Sequence, residues 1–165
     1  CPGIELVELP FDAIVDAILN DEIDAGVMIH EELLYYEEKG LNLVLDLGIA
    51  WNEDTGLPLP VGLNLVSKRL GMETARDVAT ACQDSLLWGV AHQDEVYAYA
   101  NGFGRGRARD HVEMFRIEDF IRLPDDVRNA MRIMFDRIAA MGLGPEVRSF
   151  EIIEGRLEPE RLRVA

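Results

Sequence analysis

The first thirty positions of the chain alternate hydrophobic and polar residues in a pattern that predicts strand, helix and strand. Residues 4–9 alternate apolar and acidic side chains as a short strand does, and Pro10 closes the segment. Residues 23–29 form a second, mainly apolar segment that also reads as a strand. Between them, apolar residues recur at the spacing of one helix face, at Phe11, Ile14, Val15, Ile18 and Leu19. Because two strands joined by a helix pair in parallel, the pattern predicts an α/β fold.

His30 stands directly after the second predicted strand. Ligands gather at the carboxyl ends of parallel strands, where loops and helix N-termini converge, so this histidine is a candidate functional residue. Apolar runs at 43–47 and 61–66 predict two further strands. The intervening residues 51–60 are predicted to form a shaped loop, since Pro58 and Pro60 limit its backbone freedom.

Helical spacing replaces the strand pattern after Gly71. It predicts a helix over 72–100, a short one over 110–115, and one that begins at Pro124 and ends at Gly142. We interpret the methionines of this last helix as core packing rather than a binding surface. Residues 150–153 are predicted to form a last strand. The chain thus divides into a βαβ-containing lobe at 1–70 and a mainly helical portion at 71–165. This order suits a periplasmic-binding-protein-like type II fold, with one lobe and the helical part of its partner.

Charge and composition exclude several classes of function. A net charge of −15 opposes binding to nucleic acid, whose phosphates would be repelled. No stretch approaches the roughly 18 consecutive apolar residues of a membrane span, and no export signal is recognisable. The chain contains only two cysteines, which indicates a reducing cytoplasm rather than a disulfide framework.

Few other side chains suggest chemistry. His92 and His111 share no helical spacing with a second metal ligand, so we expect no metal site. A short basic run at Arg105, Arg107 and Arg109 is interpreted as a solvated loop after a helix, or alternatively as a site that neutralises an anionic ligand.

Three motifs in the first seventy residues resemble one family. They are DAGVMIHE at 24–31, GLNLVLDLG at 40–48 followed by Trp51, and TGLPLPVG at 55–62. Together they resemble the 1,4-dihydroxy-6-naphthoate synthases of the futalosine route to menaquinone, over about residues 4–71. Residues 114–121 depart from the family's pattern, which leaves room for a relative that binds a different small carboxylate.

The resemblance implies an activity and a set of site residues. It implies a lyase-type conversion of cyclic dehypoxanthinyl futalosine to 1,4-dihydroxy-6-naphthoate in the cytoplasm, with no metal or organic cofactor. His30 would be the general base, because neutral imidazole titrates near working pH. Glu31 would orient His30 or open the next helix. An apolar wall for the fused ring of this aromatic carboxylate would come from Pro58, Leu59, Pro60 and Gly62, which alternatively form a hinge crossing between the lobes. Asn64 needs a hydrogen-bond partner in ligand or backbone.

Two other readings stay open. Members of the family are longer and carry an N-terminal lobe that is mostly missing from this chain, so the chain would be an inert fragment if nothing completes the cleft. Alternatively, it is a non-catalytic protein that binds a small carboxylate in the same fold. A chain that lacks a lobe would expose apolar surface, which would favour a homodimer.

Overall fold

The computed structural model of the chain describes residues 3–103, 107–114 and 117–156, and leaves out the side chains at positions 30, 31, 117 and 118. Short 3-10 helices span Phe11–Ala13, His30–Leu34 and Lys68–Leu70. The α-helices are α1 (Ile14–Leu19), α2 (Leu47–Thr55), α3 (Gly71–Ala91), α4 (Gln93–Asn101), α5 (Ala108–Glu113), α6 (Ile117–Ile121) and α7 (Asp125–Ala140).

The chain forms two compact units, each built from two separate stretches of sequence. Unit 1 comprises Cys1–Val44 and Tyr99–Phe115, and unit 2 comprises Leu45–Ala98 and Arg116–Ala165. These units do not follow the predicted division at residue 70. The prediction concerned lobes of a larger fold, and it stays a prediction.

The helices predicted from apolar spacing are present. The predicted first helix is the 3-10 turn Phe11–Ala13 continued by α1, and it ends where Asp21 adopts a left-handed conformation with φ 58°. The predicted helix over 72–100 is divided into α3 and α4 at His92, whose φ of −127° leaves the helical region. The predicted last helix is α7, with Pro124 at its N-cap and a positive φ of 69° at Gly142 just beyond its end.

The prediction of a loop over 51–60 was wrong for its first half, because Trp51–Thr55 belong to α2. Local capping forms this helix. The Asp46 carboxylate accepts a hydrogen bond from the Ile49 amide at 2.9 Å, and Gly56 ends the helix in the left-handed conformation at φ 69°. These two signals lie just outside the helix, where a pattern of apolar residues does not register them.

The segments predicted as strands are not paired into a sheet in the described residues. Residues 4–9, 23–29, 43–46 and 61–66 form no helix, and within the described part of the chain no segment joins another in a β-ladder. Their apolar side chains face solvent: Leu6 is 90% exposed, Val44 87% and Leu65 89%. A strand needs a neighbour about 4.8 Å away to pair its backbone groups. The α/β class therefore stays a prediction.

Each unit has a small core. In unit 1, Val15 and Ala17 of α1 and Ala108 of α5 are buried. In unit 2 the buried apolar residues are Ala75, Ile121, Ala130 and Met131.

In unit 2, α3 packs against α6, and the Gln83 side-chain amide donates to the Ile121 carbonyl at 2.8 Å. That bond satisfies a carbonyl at the end of α6 that has no partner within the helix. None of the helices in the described residues combines the length and apolarity needed to cross a membrane.

Candidate functional site

The backbone at His30 begins a helix at the end of an extended segment. Ile29, just before it, is extended at φ −131° and ψ 174°, and the 3-10 helix then runs from His30 to Leu34. The side chains of His30 and Glu31 lie outside the described residues. Glu31 is the second residue of this helix, and its predicted roles stay predictions.

The next residue along, Glu32, carries a buried carboxylate in the same helix. Glu32 is 5% exposed, and the Lys39 ammonium lies 3.4 Å from its carboxylate. A carboxylate removed from water is costly unless a positive group or hydrogen-bond donors compensate it. The ion pair with Lys39 therefore helps to hold this helix in unit 1.

Arg107 joins the end of the same helix to α5. Its Nη1 donates to the Leu34 carbonyl at 2.7 Å, and its Nε donates to the Asp110 carboxylate at 2.6 Å. The guanidinium also lies 5.2 Å from the centre of the Tyr35 ring and 3.5 Å from a Glu38 carboxylate oxygen. The hydrogen bond to Asp110 raises the pKa of Arg107 above its usual range.

The interpretation of the basic run as a solvated loop was therefore wrong for Arg107. Arg105 lies outside the described residues, and Arg109 is an exposed residue of α5. The pattern of glycines and arginines carried no signal for the bond to Leu34, because that carbonyl lies 73 positions earlier in the chain.

In unit 2, α2 fixes the turn that carries the predicted apolar wall. The Trp51 indole N–H donates to the Pro58 carbonyl at 3.0 Å, and the Asn52 side-chain amide donates to the Leu57 carbonyl at 3.2 Å. The Thr55 hydroxyl accepts from the Leu57 amide at 3.2 Å. Three side chains of one helix therefore satisfy the backbone of the turn that leads into the prolines.

Arg137 joins α7 to α2. Its Nη1 lies 2.5 Å from the Asp54 carboxylate, and its guanidinium lies 5.2 Å from the centre of the Trp51 ring. Trp51 thus contacts both the proline turn and the side chain that α7 extends towards α2. Through these contacts Trp51 has a packing role in unit 2.

A groove with a volume of about 240 Å³ lies between the proline segment and α7. It is apolar and is lined by Pro60, Val61, Gly62, Leu63, Met131, Met134 and Phe135. Of the predicted wall residues, Pro60 and Gly62 line this groove. Pro58 holds the turn through its carbonyl, Leu59 is half-buried, and Asn64 is exposed beyond the groove.

Sequence analysis missed the contribution of α7 to this groove. Met131 is 3% exposed, in agreement with packing, yet it also lines the groove together with Met134. Apolar residues at helical spacing look the same whether they face a core or a groove, so no local pattern separates the two.

Of the other two histidines, His92 packs on α3, the helix that it follows. The His92 ring stacks on Trp88 with centroids 4.3 Å apart, and its Nδ1 lies 2.8 Å from the Trp88 carbonyl oxygen. His111 belongs to α5. Among the described residues, no three histidine, cysteine, aspartate or glutamate side chains come together in a way that could hold a metal ion.

Comparison with known proteins defines the class of this chain. A family described as menaquinone biosynthesis matches residues 2–140. The 1,4-dihydroxy-6-naphthoate synthase of Streptomyces coelicolor is 32% identical over 145 residues, which is 86% of this chain and 51% of that enzyme. The enzyme of the same name from Thermus thermophilus is 30% identical over 145 residues, with 86% and 53% covered. The chain therefore belongs to the menaquinone biosynthesis family, as the three motifs indicated.

A solved structure is similar to this chain in sequence and in fold. An Archaeoglobus fulgidus protein is 36% identical and superposes with a TM-score of 0.75 over 84% of this chain and 54% of that one. The chain thus spans about half the length of the curated relatives that it matches.

Proposed function

We propose that this chain is part of a lyase that converts cyclic dehypoxanthinyl futalosine to 1,4-dihydroxy-6-naphthoate. The observation that carries the proposal is the match of residues 2–140 to the menaquinone biosynthesis family, with relatives named as this synthase. Because the chain spans about half of those relatives, the proposal concerns the native-length protein, by which we mean the whole gene product that contains these residues. The proposal includes a cytoplasmic location, where Cys82, an exposed free thiol, would stay reduced.

His30 is proposed as the general base of this reaction. Removal of a proton beside a carbonyl lets the neighbouring carbon–carbon and carbon–oxygen bonds rearrange, and neutral imidazole is suited to this step at neutral pH. Two features of the structure support the choice of His30. His30 is the first residue of a helix that follows an extended segment, and contacts from Lys39 and Arg107 hold that helix.

The groove beside α7 is proposed to take the apolar ring of the substrate. Its volume of about 240 Å³ is below the roughly 300–1,000 Å³ of pockets that enclose a whole drug-sized ligand. It would therefore hold only the fused ring, while the polar sugar part stays outside. Pro60 and Gly62 would contact one face of the ring, and Met134 with its adaptable thioether chain would contact another.

We further propose that the unpaired extended segments are strands of the predicted type II periplasmic-binding-protein-like fold. Residues 61–66 lie extended with Val61 68% and Leu65 89% exposed, as expected of a strand whose neighbours are supplied from elsewhere. The polypeptide that corresponds to the unmatched half of the relatives is the proposed source. Amide exchange of residues 61–66 should become slow when that polypeptide is added. Protection that instead grows with the concentration of this chain alone would favour a homodimer.

The central test compares His30→Ala with His92→Ala in the native-length protein. Each is given cyclic dehypoxanthinyl futalosine, and the naphthoate formed is measured by mass spectrometry. We expect His30→Ala to lower kcat by about 10²–10⁴-fold, the usual contribution of a positioned base, and His92→Ala to leave it within about threefold. Equal rates for the two variants would contradict the role of His30.

The same measurements separate the alternative function. A non-catalytic binder of small carboxylates would show thermal stabilisation by 1,4-dihydroxy-6-naphthoate and no turnover of the futalosine substrate. Neither turnover nor stabilisation would indicate an inert fragment.

A further inference from the structure

The helix that carries His30 is too short to hold its own position. It has five residues, and isolated helices shorter than about 12–15 residues are marginal in water. The backbone position of its first residue therefore depends on contacts that other parts of unit 1 make with the helix. The most specific of these contacts is at its last residue.

Arg107 satisfies the carbonyl at the end of this helix. The final carbonyls of a helix have no partner within it, and the Leu34 carbonyl accepts from Arg107 Nη1 at 2.7 Å. The Nε of the same guanidinium is held by Asp110 of α5 at 2.6 Å. One planar group thus connects the helix to α5, which packs against it.

The surroundings of Arg107 favour a structural contact over the binding of an anionic ligand. Asp110 and Glu38 already place two carboxylates beside the guanidinium, and the Tyr35 ring lies 5.2 Å from it. Binding of an additional anion would have to displace these groups. The fork of donors in arginine also makes the bonds to Leu34 and Asp110 together, whereas lysine presents a single ammonium.

We propose that Arg107 is a positioning residue for His30, fixing the far end of the five-residue helix that begins with the proposed base. The inference rests on the proposed function. Misplacement of a reacting group by about 1 Å can cost roughly 10²-fold in rate, even when the mutated residue lies away from the chemistry. Loss of Arg107 should therefore appear in kcat rather than in KM.

The experiment compares Arg107→Met, Arg107→Lys and the control Arg109→Met in the native-length protein. Arg109 is an exposed residue of α5, two positions from Arg107, and Arg109→Met removes the same charge. We expect Arg107→Met to lower kcat by about 10–10²-fold with KM within about threefold, Arg107→Lys to recover part of the loss, and Arg109→Met to match the parent. A further variant, Arg107→Ala, leaves space for a free guanidinium ion, and guanidinium at low millimolar concentration should restore part of its lost rate.

Different results would overturn different claims. If His30→Ala is inactive while Arg107→Met keeps the parent kcat, the positioning role is wrong and the proposed base stands. If His30→Ala keeps the parent rate, the proposed function itself fails. A rise in KM with unchanged kcat in Arg107→Met would show that Arg107 binds substrate, and would overturn positioning.

If Arg107→Met does not fold, Asp110→Asn provides a second test of the proposal. Asp110→Asn keeps Arg107 and its bond to Leu34 but replaces the charged partner of Nε. We expect a kcat loss of about twofold to tenfold with an unchanged melting temperature. The parent kcat in both Asp110→Asn and Arg107→Lys would overturn the proposal.

Discussion

The His30–Leu34 helix in unit 1 and the proline segment in unit 2 are held in place by different kinds of contact. Pro58 and Leu57 are bound by Trp51, Asn52 and Thr55, all of which lie within seven positions of them. The His30 helix instead ends on a guanidinium that lies 73 positions away, at Arg107. The proline side of the groove is thus held by local contacts from α2. The His30 helix has one local contact, from Lys39, and one contact from a distant part of the chain, from Arg107.

This difference predicts that the two regions respond to substitutions in different parts of the chain. Changes within residues 46–60 should alter the proline turn whatever happens elsewhere in the chain. Changes in residues 107–110 should alter the His30 helix although they leave its own sequence intact. The variants below test this contrast, from the largest expected effect on stability to the smallest.

Met131→Ala tests whether the groove depends on the packing of α7 in addition to the local turn. Met131 is 3% exposed, and its loss should lower the free energy of unfolding by about 2–5 kcal/mol in urea denaturation. The control Met141→Ala, at a residue 71% exposed, should change it by less than about 0.5 kcal/mol. Equal effects of the two would show that α7 does not support the groove through Met131.

Lys39→Met tests the second contact of the His30 helix. Glu32 is buried, and removal of the ammonium 3.4 Å away should lower the free energy of unfolding by about 1–3 kcal/mol. Lys68→Met, at an exposed residue of unit 2, is the control and should change stability little. If Lys39→Met is as mild as its control, Arg107 becomes the dominant contact of the helix, and the contrast between the units becomes sharper.

Trp51→Phe tests the local construction directly, because it keeps an aromatic ring and removes only the indole N–H bound to Pro58. A single hydrogen bond of this kind contributes about 0.5–1.5 kcal/mol. Hydrogen exchange of the Leu57 amide should become faster, since the turn loses one of its three contacts with α2. Trp88→Phe, in α3, provides the matched control. Unchanged exchange at Leu57 in both variants would contradict the role assigned to Trp51.

Much of the helical structure could be predicted from sequence. The apolar spacing and end signals of α1 and α7 are local, and the structure agrees with them within a few residues. The break at His92 and the existence of α2 and α6 were not predicted. For α2 the relevant signals were the Asp46 cap and the Gly56 terminus, which lie outside the apolar pattern.

Two of the residues that line the groove were named from the sequence. Pro60 and Gly62 were assigned to an apolar wall and do line the groove, whereas Met131, Met134 and Phe135 were interpreted as core or not singled out. Apolar side chains at helical spacing carry no information about what lies opposite them. The predicted roles of His30 and Glu31 stay predictions, as does that of Asn64.

The sequence by itself determined the family, through three motifs, and the main helices, through capping and spacing that act over a few residues. Only the tertiary structure decided that Arg107 holds the end of the His30 helix, that Arg137 joins α7 to α2, and that α7 completes the groove. The physical reason is distance along the chain. A cap or a turn is formed by residues that are close together in the sequence. Each of these three contacts joins residues separated by many positions, so it forms only when the whole unit packs.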